Sequence, residues 1–206
     1  MFYVLSIIAG IISGSAVNVY TGGQKASSAV LKWYMGHFHK KFAYLFTEVI
    51  TALIYLYLYQ RTAGVCELLK FWVFSALLMA AAIQDFKKRE ISNALTAAFM
   101  FSGMLFVLFS FDLGAVLDSL LAFTVFGGIF LFISFVTNGG IGAGDVKLVA
   151  CSGLFLGLGG LWTAVAAALF LTFAGGIALL VLRLTDRKGF IPFAPFVLAG
   201  FLASVF

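Results

Sequence analysis

Apolar runs long enough to cross a bilayer recur from one end of this 206-residue chain to the other, and they constrain its fold more than any other feature. A spanning helix needs about 20 mostly apolar residues, and lipid offers backbone amides no partner outside the helix. Eight segments meet or approach that requirement: 3–20, 42–59, 68–84, 94–111, 116–136, 146–158, 161–182 and 190–206. The expected fold is therefore all-α, a polytopic bundle of about eight transmembrane helices forming one membrane-embedded domain over 1–206. The sixth segment is short, and Gly159-Gly160 leaves room only for a turn, so segments six and seven should form a tight hairpin. A seven-span count is the alternative.

Charge supports the eight-span count. Only 10% of residues are charged, against about a quarter in soluble domains. The net charge of +5 comes from short basic clusters between apolar runs, which argues against nucleic acid as a partner and for lipid. With the N-terminus outside, Lys25, Lys32, Lys40, Lys41, Lys87, Lys88, Arg89, Lys147, Arg183, Arg187 and Lys188 all fall on one side, leaving Arg61 and Lys70 on the other. Basic loops stay in the cytoplasm, so this expects a multi-pass protein of the cell membrane with its N-terminus outside. The first segment lacks a basic lead and an Ala-x-Ala site, and reads as a retained span. Gly10 and Gly14, and Gly153 and Gly157, make Gly-x-x-x-Gly faces that expect close helix packing.

The eight acidic residues sort by position. Glu67, Asp112 and Asp118 fall toward the outer side, while Glu90 and Asp186 sit among basic neighbours. Glu48 lies within the second segment, where burying a carboxylate is expensive and points to function. Asp85 closes the third segment and Asp145 opens the sixth, both at the expected cytoplasmic boundary. Two carboxylates held close share a proton, so one can deprotonate water while the other protonates a scissile carbonyl. The plainer readings are a juxtamembrane Asp85 and an Asp145 that caps a helix. The glycines at 139, 140, 142 and 144 favour the first reading, because they disfavour regular helix and let backbone approach a substrate closely.

These residues resemble the type IV prepilin peptidases. Gly142-Ala143-Gly144-Asp145, followed by Val146-Lys147-Leu148, is similar to their Gly-x-Gly-Asp motif, and Asp85 with Arg89, Ile91, Asn93 and Leu95 to their first-aspartate segment. Gly14 to Val19 resembles the end of their first span, Tyr44 to Glu48 the entry to their second, and Ile191 to Phe196 the start of their last. The resemblance implies a membrane aspartyl endopeptidase that cleaves the leader of type IV prepilins or pseudopilins at the cytoplasmic face. Asp85 and Asp145 would be catalytic, with Gly142, Gly144 and Lys147 in the active-site loop. Bifunctional members also methylate the new N-terminus with S-adenosylmethionine, which implicates Asn18 and Glu48; the same two residues read equally well as polar packing between spans. The peptidase step itself implies no cofactor.

The chain departs from the longer relatives in its 21–41 loop, a cytoplasmic loop that stands where they carry four zinc-binding cysteines. It has no cysteine there, and Cys66, Cys151 and the pair His37 and His39 make no ligand set, so no metal is expected. Presenilin-like intramembrane proteases share the Gly-x-Gly-Asp motif but place their first aspartate mid-span. A transporter subunit would place its acids near the bilayer midplane.

Overall fold

The computed structural model describes residues 2–22, 40–181 and 192–205. The expected loop at 21–41 therefore lies almost wholly outside the described residues, as do His37, His39, Lys25, Lys32 and the 182–191 connection with Arg183, Arg187 and Lys188. The described residues form seven helical elements and no strand: α1 (Phe2–Gly22), α2 (Lys40–Arg61), α3 (Val65–Lys88), α4 (Asn93–Leu108), α5 (Leu113–Val136), α6 (Ala143–Val181) and α7 (Ala194–Ser204). This is the all-α membrane bundle expected, with α1, α3, α5 and α6 long and apolar enough to cross a bilayer. Large apolar side chains stand exposed along α5 and α6, among them Leu121, Phe132, Phe135, Phe170 and Phe173. In water such a surface would be an aggregation patch; against acyl chains it is the expected exterior.

Seven elements appear where eight segments were expected, because α6 joins the sixth and seventh. It is not straight. A straight helix from Asp145 to Leu169 would hold them about 36 Å apart at 1.5 Å per residue, yet both line one cavity. The chain doubles back at Gly157, whose φ of 67° and ψ of −177° belong to a region open essentially to glycine alone. The expected hairpin is thus present with its turn at Gly157, not at Gly159-Gly160. The reason lies on α5: the Asp118 carboxylate accepts a hydrogen bond from the Leu158 amide at 3.2 Å, capping the returning half-helix. A Cβ at Gly157 would collide with that same carboxylate.

Two expected spans come out short. The α4 helix stops at Leu108, and Phe111 takes a left-handed φ of 52° before Asp112 caps α5 by accepting from the Gly114 amide at 3.0 Å. The last helix begins only at Ala194, because Pro192 precedes it and Pro195 sits in its first turn, the one place a helix tolerates proline.

A node of four phenylalanines holds the centre. Phe74 of α3 stacks on Phe155 of α6 with centroids 4.7 Å apart and meets Phe201 of α7 edge-on at 4.8 Å, with Phe99 of α4 at 6.1 Å. All four are essentially buried. Phe74 precedes Asp85 by eleven residues and Phe155 follows Asp145 by ten, so the node fixes α3 and α6 in register about 15 Å from each carboxylate. On the other flank, Gly10 and Gly14 bring α1 against α2: a Cβ at Gly10 would strike the Ala52 backbone, and one at Gly14 would come within 2.7 Å of Glu48 Cα.

Candidate active site

Both aspartates line one cavity of about 810 Å³ at the end of the bundle where α3 finishes and α4 and α6 begin. Its walls are the 89–93 turn, the 140–145 segment, Phe130 of α5 and Phe193 before α7. Asp85 sits in the last turn of α3, is only 7% exposed, and has its Oδ2 accepting from the Ala194 amide at 3.0 Å. Ala194 is the first residue of α7, so its N–H has no intrahelical partner and the carboxylate supplies one. Asp145 is half-buried in the first turn of α6, close enough to Asp85 for their charges to interact. It is not the helix cap, since α6 starts at Ala143 and Gly142 contributes only its carbonyl, accepting from the Asp145 amide at 3.0 Å.

The glycine segment is more helical than the sequence suggests. Gly139, with φ of 83°, Gly140 and Gly142 form an irregular connection, but Gly144 is already in α6. Its missing side chain serves close approach: a Cβ there would lie 3.2 Å from Ile91 Cβ and 3.4 Å from the Ile91 amide nitrogen. At Gly142 a Cβ would stand 3.3 Å from Asp145 Oδ2, crowding the carboxylate itself. Lys147 lies on the exposed rim, where its ammonium donates to Asn93 Oδ1 at 3.0 Å and ties α6 to α4. The structure thus brings together Asp85, Asp145, Gly142, Gly144 and Lys147.

Asn18 and Glu48 stand apart from that group. They line a smaller cavity of about 320 Å³ between α1 and α2 with Ser15, Val19 and Tyr44. Its polar groups are engaged with one another: Ser15 donates to Glu48 Oε1 at 2.7 Å, Thr47 to Asn18 Oδ1 at 2.6 Å, and the Asn18 amide to the Tyr44 carbonyl at 3.1 Å. These hydrogen bonds join α1 to α2, and residues 23–39, which follow α1, lie outside the described ones. Among the described residues no group of three His, Cys, Asp or Glu side chains converges to hold a metal ion.

The residues that support the dyad carry no role of their own in the sequence, although Ile91 and Ala194 fall inside the resembling segments. Gln84, Ile91, Ser92 and Ala194 all touch it directly or at one remove. The Ile191 to Phe196 resemblance was the available signal for Ala194; Gln84 had none beyond being a buried amide next to an aspartate.

The sequence model of the type IV leader peptidase family matches residues 72–184, a stretch that holds both aspartates and the cavity walls except those before α7. The chain is 34% identical over 168 residues to a prepilin leader peptidase/N-methyltransferase of Bacillus subtilis (strain 168), covering 77% of this chain and 64% of that protein. It is 30% identical over 169 residues to a protein of the same description from Aeromonas hydrophila, covering 78% and 57%. The chain thus spans less than two thirds of the length of these relatives. No solved structure matches it.

Proposed function

This chain belongs to the type IV leader peptidase family, and from that membership we propose that it is a membrane aspartyl endopeptidase cleaving the leader from type IV prepilins or pseudopilins. The observation that carries this reading is the convergence of Asp85 and Asp145, from two different helices, on one cavity at the end of the bundle. The cavity lies within the range of about 300–1,000 Å³ typical of ligand sites, and its position suits a peptide bond just outside a substrate's apolar helix. Presenilin-like cleavage at mid-membrane would ask for aspartates in mid-helix, whereas Asp85 is three residues from the end of α3.

In the proposed reaction one carboxylate is ionised and takes a proton from water as the water oxygen bonds to the scissile carbonyl carbon. The other, protonated, gives its proton to the carbonyl oxygen. Collapse of the resulting diol breaks the C–N bond, the leaving amine receives a proton, and the pair returns to sharing a single one. Carboxylates are the only acid–base groups this scheme requires. The proposal covers cleavage; methylation of the new N-terminus, which the resemblance also implies through Asn18 and Glu48, is read out in the same experiment. The site is read as facing the cytoplasm because Lys87, Lys88, Arg89 and Lys147 gather at its end of the bundle.

The test is incubation of the purified full chain with a prepilin precursor, followed by mass analysis of the product's N-terminus. Loss of the leader is expected, and a product heavier by one methyl group would reveal methylation in the same spectrum. Intact precursor in the presence of folded protein, across several prepilins, would overturn the reading.

A further inference from the structure

Gln84 is 1% exposed, one residue ahead of Asp85, and takes no part in the chemistry above. Its Oε1 accepts from the Ser92 amide at 3.1 Å. That bond orients the carboxamide, because the reverse orientation would set N–H against N–H. The nitrogen Nε2 is then left buried with no hydrogen-bond partner. A buried donor without a partner is unfavourable, and an apolar side chain of the same length would avoid it. What the amide supplies in exchange is its oxygen.

The Ser92 amide belongs to a turn that matters for both carboxylates. Arg89 ends α3 in the left-handed region, with φ of 58°, its N–H bonded to the Asp85 carbonyl at 2.9 Å. Three residues later Ser92 caps α4, its hydroxyl accepting from the Leu95 amide at 3.3 Å. Between them, Ile91 is the surface on which Gly144 rests, one residue before Asp145. The path therefore runs from Gln84 through the Ser92 amide and Ile91 to the start of α6. From the other side, the Tyr20 hydroxyl of α1 pairs with Ser92 Oγ at 3.0 Å, and Lys87 donates to the Thr21 carbonyl at 2.8 Å.

We propose that Gln84 is a positioning residue for the aspartate pair: by holding the Ser92 amide it sets the distance between the end of α3 and the Ile91 wall against which α6 seats Asp145. The inference rests on the peptidase reading. Its atoms never touch substrate, so its effect is on the geometry of the reacting groups and falls on turnover more than on substrate binding.

The experiment compares wild type with Gln84→Met, which keeps the length and loses the acceptor, and Gln84→Asn, which keeps the amide but withdraws it by one methylene. Prepilin cleavage gives kcat and KM, hydrogen–deuterium exchange of the 89–93 amides reports the Ser92 bond, and thermal unfolding reports the fold. Expected are kcat lower by about 10- to 100-fold, KM within about 2-fold, faster exchange across the turn, and cooperative unfolding retained. Wild-type turnover in either folded variant overturns the inference, as does unchanged exchange at Ser92. A wild-type protein without peptidase activity sinks the functional reading instead, and the exchange comparison still decides whether Gln84 holds the turn.

Discussion

The two aspartates differ in how they are held, and that shapes what each substitution does. Asp85 is buried and satisfies the first amide of α7, whereas Asp145 is half-buried in the first turn of α6. Asp85→Asn and Asp145→Asn each leave a side chain of the same shape but remove a general acid or base, a loss of about 10²–10⁴-fold in rate. Cleavage should fall by at least that range in both variants while membrane insertion and unfolding stay near wild type. Substantial activity in either one would remove that residue from the dyad. Gly144→Val tests the seat of Asp145, since even a Cβ would lie 3.2 Å from Ile91 and a branched side chain adds more. Its cleavage rate should drop at least ~10-fold with the protein still folded; full activity would show that α6 can shift without consequence.

At the scale of elements, glycines decide where helices touch and where one turns. Gly153 lies on α6 facing α5, where a Cβ would stand 2.7 Å from the Phe123 amide nitrogen and 2.8 Å from the Ala122 carbonyl carbon. Backbone cannot swing aside as a side chain can. Gly153→Ala should therefore destabilise by about 1–3 kcal/mol, read as a lower thermal unfolding midpoint in detergent. This half of the Gly-x-x-x-Gly pattern behaves as expected. Gly157 is not a packing glycine but the turn itself, and Gly157→Ala combines a left-handed-side φ with a clash against Asp118, for about 1–3 kcal/mol from the backbone alone. The unfolding midpoint should fall with it as well. If Gly157→Ala unfolds with wild type, the hairpin does not depend on that conformation.

At the scale of the whole molecule, basic charge among the described residues divides by end. Arg89 and Lys147 line the cavity and Lys87 and Lys88 end α3 beside it, while Lys70 and, at the end of α2, Arg61 stand toward the other end of α3, a helix of 24 residues and so roughly 36 Å long. On the positive-inside rule we propose that the cavity faces the cytoplasm and that Cys66, exposed near the start of α3, faces the outside. Cys151 is buried and should stay silent. A membrane-impermeant maleimide added to intact cells should modify the protein at Cys66, and Cys66→Ser should abolish the signal. Labelling that appears only after the membrane is permeabilised would invert the orientation.

How much of this was legible in the chain follows from how local each signal is. Membrane class, helical architecture and the aspartate pair depend on runs, spacings and short motifs, which one stretch of sequence carries whole. The position of the α6 turn does not: three glycines lie within four residues, and Gly157 is selected because Asp118 caps the amide of Leu158, 40 residues after it in the chain. The same holds for the partners of the site. Asp85 meets the Ala194 amide across 109 residues, and Gln84 reaches Ser92 only because the chain leaves α3 through a left-handed Arg89. Asn18 and Glu48 show the limit from the other direction. Sequence left them between a methylation role and packing; in the structure Asn18 pairs with Thr47 and the Tyr44 carbonyl, and Glu48 with Ser15, across α1 and α2. Hydrogen bonds of this kind join groups far apart in the chain, so only the packing of the helices brings them together.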